Sequence, residues 1–70
     1  MPPNITVFFK IYDTTLIVSG PCTKTDGFLD PFTIKVGDED ITSLICQGSS
    51  SLKTDILAKA YLKALDEHLI

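Results

Sequence analysis

The stretch from Leu52 to Leu69 contains neither Pro nor Gly, and its apolar residues recur at helical spacing. Before it, apolar residues recur at every second position. A chain that switches once from a period of two to a period of about 3.6 has one economical solution, a sheet laid against a helix. In the helical stretch Leu57, Ala58, Tyr61, Leu62, Ala64, Leu65, His68 and Leu69 share one arc. Lys53, Asp55, Lys59, Lys63, Asp66 and Glu67 take the opposite arc, with Ile56 among them. Residues Gln47 to Ser51 read as a polar linker in which Ser50 or Ser51 caps the helix. Lys63 and Glu67 stand at the favourable i, i+4 spacing.

The strands follow from alternation. In Ile5–Tyr12, residues Ile5, Val7, Phe9 and Ile11 fall on one face and Thr6, Phe8, Lys10 and Tyr12 on the other. After a short turn at Asp13–Thr15, Leu16–Ser19 returns as the second strand of a hairpin, which Gly20 and Pro21 are expected to stop. Residues 20–31 are rich in Gly, Pro and Asp and read as a loop anchored by Phe28 and Leu29. Phe32–Val36 alternates again, and residues 37–40 form a polar turn.

Ile41–Cys46 fits two patterns. Alternation sets Thr42, Leu44 and Cys46 against Ile41, Ser43 and Ile45, whereas Ile41, Leu44 and Ile45 also match i, i+3, i+4 with Asp38 or Asp40 as a cap. The β-branched content and the nearby Gly48 favour a short fourth strand. The expected fold class is therefore α+β: an antiparallel three- or four-stranded sheet, built of two hairpins, packed on one C-terminal helix, in a single domain spanning residues 1–70.

Seventy residues bury only ~60% of their unfolded surface, yet 44% of this chain is hydrophobic. One helix covers one face of a sheet, so apolar residues on the other face point to a partner. Phe8 and Tyr12, with Lys10 beside them, Ile17, and Ile56 on the polar arc of the helix are the candidates for such an interface. Asp38, Glu39 and Asp40 join them as an acidic turn suited to a basic surface. The expected partner is another protein, and a homodimer is one form of it.

Other classes lose ground. The six basic residues are all Lys against nine acidic ones, a net charge of −3, so the basic patch and Arg forks of nucleic-acid binders are missing. No apolar run has the length of a membrane span, and Lys10 and Asp13 interrupt what would be a signal-peptide core, so a cytoplasmic location is expected and the Asn4-Ile5-Thr6 sequon carries no weight. In a reducing compartment Cys22, in the loop, and Cys46, in the core, are expected to be free thiols, with a bridge between them as the alternative.

His68, the lone histidine, is expected to face the helix dipole or the core edge. Two Cys and one His fall short of a structural zinc site, the acidic turn lacks the spacing of a calcium loop, and no cofactor motif occurs. Met1-Pro2 ahead of a strand is similar to the tautomerase family, in which an N-terminal proline is the base. The resemblance covers only that dipeptide and strand. The family's long helix after the first strand is replaced by a hairpin, its arginines have no counterpart, and a second proline, Pro3, follows Pro2. The reading is a non-enzymatic protein-binding module without a cofactor, of the kind bacteriophages and mobile elements use as small accessory or inhibitory proteins. A self-assembling structural subunit is the alternative, and a Pro2-dependent tautomerase stands third.

Overall fold

The structure, a computed structural model, describes every residue except Ser49 and the side chain of Ser50. It is an α+β fold in which an antiparallel sheet packs on a C-terminal helix. The elements run β1 (Asn4–Ile11), β2 (Thr14–Thr23), β3 (Gly27–Phe28), β4 (Thr33–Val36), β5 (Glu39–Asp40), α1 (Thr42–Gln47) and α2 (Ser50–Asp66). The strand order is β1-β2-β4-β5, with β3 pairing the far end of β2. Val7, Leu16, Val18, Cys22, Ile34 and Phe32 point inward and meet Ile56, Ala60 and Ala64 of α2.

The first hairpin keeps the expected alternation over Ile5–Ile11, but its turn is the pair Tyr12 and Asp13 rather than Asp13–Thr15, so that Ile11 faces Thr14 and Thr14 and Thr15 belong to β2. Tyr12 takes the first turn position with a φ of 56°, a left-handed conformation unusual for a bulky side chain. The second strand does not stop at Gly20-Pro21 but continues to Thr23. Two contacts explain this. A Cβ on Gly20 would lie 2.8 Å from the Phe32 Cα, so glycine lets the two backbones touch there. Beyond Ser19, β4 no longer pairs with β2, so the N–H that Pro21 lacks removes no bond from that ladder. The expected loop over 20–31 thus contains the end of β2 and β3, and its Phe28 is buried while Leu29 is half-buried.

Ile41–Cys46 is a correction: helix α1 replaces the expected strand. The Asp40 carboxylate accepts from both the Thr42 amide (2.9 Å) and the Thr42 hydroxyl (2.6 Å), and Thr42 Oγ1 accepts the Ile34 N–H (2.8 Å). These bonds turn the chain away from β4, and the i, i+3, i+4 pattern then buries Ile45 while Leu44 stays exposed. Of the expected linker, Gln47 ends α1 and Ser51 lies in α2; Ser49 and the capping role expected of Ser50 lie outside the described residues.

The long helix is present as expected, but its rotation is not. Ala64 is buried and Leu57 and Tyr61 pack against the core as expected, but Ile56 and Ala60 are buried too, while Ala58, Leu62, His68 and Leu69 of the expected arc are exposed. Two alanines let the helix approach the sheet closely, whereas leucines on that side would hold it off. The Lys63–Glu67 pair forms, at 3.3 Å. The helix ends in a left-handed cap: His68 has a φ of 58°, its N–H bonds the Leu65 carbonyl (3.1 Å), and the Leu69 N–H bonds the Ala64 carbonyl (2.9 Å).

Candidate interaction surface

Alternation along each strand and the pairing between strands decide what the uncovered face presents. Phe8 pairs with Ile17, Ile17 with Lys35, and Lys35 with Asp40, so one cross-sheet row runs Phe8–Ile17–Lys35–Asp40. The next row is Thr6–Ser19–Thr33, in which the Thr6 and Ser19 hydroxyls bond each other at 2.8 Å. On the other side of Phe8, Lys10 pairs with Thr15. The face is therefore a small apolar pair at the β1 edge, flanked by hydroxyls and two ammonium groups, and less apolar than the alternation of β1 alone suggests.

Within the apolar centre Phe8 is 57% exposed and Ile17 half-buried, while Tyr12 at the hairpin tip is 96% exposed. The loop after β2 does not fold over them, because Phe28 is spent in the core on the opposite side. Asp38, Glu39 and Asp40 are all exposed, and Asp40 joins the open face through its pairing with Lys35. The hydrogen bonds from Thr42 hold the Asp40 carboxyl below its ordinary range, with a smaller contribution from the Lys35 charge.

Of the eight residues expected at an interface, the fold brings Phe8, Ile17, Lys10 and Asp40 onto or beside one row, leaves Tyr12 and Asp38 in the turns that flank it, and puts Glu39, paired with Val36, on the other face. Ile56 is the exception and a correction: it is 2% exposed, in the core on the covered side of the sheet. Lys35 was missed. Its alternation with Ile34 and Val36 already placed it on the outer face, but only the pairing of β4 with both neighbours shows that it links the apolar centre to the acidic turn.

Two concavities flank α2. One, of about 290 Å³, lies at the hairpin end and is lined by Ile11, Tyr12, Val36, Ile41, Leu52 and Ile56 among others. The other, of about 380 Å³, lies between the β2–β3 turn and the helix, where the Tyr61 hydroxyl donates to the Lys24 carbonyl. Neither is lined by Cys, His or Pro2.

The two cysteines exchange their expected places. Cys22 is fully buried in β2, where desolvation pushes its thiol pKa up, and Cys46 is exposed on α1; both are free. Among the described residues no group of three or more His, Cys, Asp and Glu is arranged to hold a metal ion, and no helix is long and apolar enough to cross a membrane. Compared with known proteins, the chain matches no family model, no curated protein and no solved structure.

Proposed function

We propose that this chain is a non-enzymatic protein-binding module acting in the cytoplasm, of the kind small accessory or inhibitory proteins of phages represent. Its contact surface is the open face of the sheet, with Phe8 and Ile17 as the apolar anchor and Lys35, Asp40 and the acidic turn as a polar rim. An apolar centre inside a charged rim is the usual anatomy of such a contact. The observation that supports the reading most directly is the 57% exposure of Phe8, beside Ile17 on the uncovered sheet face. The aromatic tip adds to it, since Tyr12 holds a left-handed backbone at a stability cost while its side chain stays 96% exposed.

The test is affinity capture with the wild-type chain and with a Phe8→Ser, Tyr12→Ser double variant of unchanged circular dichroism. Proteins retained by the first and lost by the second are expected; equal retention by both dismisses the surface. A self-assembling subunit is the second reading, favoured by the open backbone edge of β1.

A further inference from the structure

The sheet has two edges, and the fold finishes only one of them. Beyond β4, the Ile34 N–H goes to Thr42 Oγ1 (2.8 Å) and the Ile34 carbonyl accepts the Ile41 N–H (2.9 Å). The short, doubly acidic β5 then ends that side. Short charged strands of this kind discourage pairing with another chain.

At β1 the situation is reversed. The bond from the Cys22 N–H to the Pro3 carbonyl (3.1 Å) sets the phase of the strand. Pro3 faces β2, and by alternation Ile5, Val7, Phe9 and Ile11 turn their backbone groups the same way. Asn4, Thr6, Phe8 and Lys10 turn theirs outward, and all four residues are exposed. Among the described residues no backbone hydrogen bond reaches that outer edge. The usual protections are missing as well: over its 8 residues β1 has no proline, no break in register and a single charge, Lys10.

We infer that β1 pairs with β1 of a second copy of this chain, antiparallel, about a twofold axis at Phe8. The inference rests on the self-assembly reading and names its surface and register. An isologous antiparallel pair keeps both open faces on the same side when residues of like parity oppose each other. Centred on Phe8, the pairing sets Phe8 against Phe8 of the second copy and Thr6 against its Lys10, so the only charge on the strand never meets itself. On the inner side Ile5 meets Ile11 and Val7 meets Phe9. Ile5, Phe9 and Ile11 are each only half-buried in the single chain, which leaves them apolar surface to lose. The row then runs unbroken from Lys35 through Ile17 and both Phe8 rings to the Lys35 of the second copy, so assembly doubles the face proposed for protein binding.

Sedimentation equilibrium over a dilution series tests the association, with oxidative cross-linking in a Cys46→Ser background to read the register. The expected result is a mass that rises with concentration toward twice the 7.7 kDa of the chain. A Phe8→Lys variant with unchanged circular dichroism should associate at least tenfold more weakly, because two ammonium groups would face each other across the axis. Phe8→Cys should cross-link the two copies readily and Thr6→Cys should not. A dimer that persists in Phe8→Lys, or that cross-links through Thr6→Cys instead, overturns the β1 pairing and leaves self-assembly standing through another surface. A chain monomeric at every concentration overturns both.

Discussion

Replacing Ile56 by Ala should cost this domain about 3 kcal/mol. The substitution removes three buried carbons, each worth about 0.8 kcal/mol of transfer free energy. The space left behind adds a cavity term, toward the lower part of the usual ~2–5 kcal/mol range for Ile→Ala. The lower part applies because Ile56 also borders the concavity of about 290 Å³ at the hairpin end, into which neighbours such as Leu52 can relax. A 70-residue domain at the common ~0.05–0.15 kcal/mol per residue has roughly 3.5–10 kcal/mol in total. The thermal midpoint should therefore fall by roughly 12–24 °C, taking ~4–8 °C per kcal/mol for a domain of this size. The paired control is Leu62→Ala, at a residue 61% exposed, which should stay within about 0.5 kcal/mol. Urea and thermal melts followed by circular dichroism measure both. Equal shifts, or a larger one for Leu62, would refute the orientation of α2.

Three further expectations can be checked separately. Under native conditions a thiol reagent should modify Cys46 alone, and Cys22, fully buried with its pKa raised by desolvation, should react only on unfolding; two equivalents labelled at once would contradict its burial. Asp40 has a folded-state pKa below the ordinary value, so its contribution to stability is present above about pH 4, where the unfolded carboxyl ionises, and is lost as pH falls through the lower folded value. Thr42→Val should return the Asp40 titration toward the ordinary range in a carbon-detected NMR titration; an unchanged curve removes the hydroxyl as the cause. Tyr12→Gly should raise the thermal midpoint slightly, by about 0.5–1 kcal/mol in stability, because relief of a left-handed backbone (~1–2 kcal/mol) exceeds the entropy glycine loses on folding (~0.5–1 kcal/mol); a lowered midpoint would mean that the tyrosine ring is held by contacts.

Local pattern made some of this fold legible and left the rest to contacts between distant segments. The first hairpin could be read because β-branched and aromatic residues alternate through Ile5–Ile11 and Leu16–Val18. Its extension through Pro21 could not, because a proline is tolerable there only where the pairing with β4 has stopped, at Ser19 and Thr33, a fact about pairing. Ile41–Cys46 carried both periods, and the tie was broken by Asp40 and by Ile34, whose N–H holds Thr42 from another strand. The existence of α2 was plain and Ala64 stood on the expected arc, but the full rotation was hidden: Ala60 contributes little hydropathy, yet its smallness, with that of Ala64, decides which side can sit close to the sheet. The exchange of roles between Cys22 and Cys46 follows from two of these misread segments. On the surface, parity alone put Phe8, Lys10 and Ile17 outside, while Ile56 was misplaced by the same rotation error and Lys35 became significant only through its two neighbours.

The order of elements also bears on how the chain is made. The four strands of the main sheet are added in sequence, each beside one already formed, so the sheet can assemble hairpin by hairpin from short-range closures. The residues that cover its inner face, Ile56, Ala60 and Ala64, come after every strand. In a chain made from its N-terminus, the apolar side chains of Val7, Val18 and Ile34 therefore precede by many residues the helix that covers them.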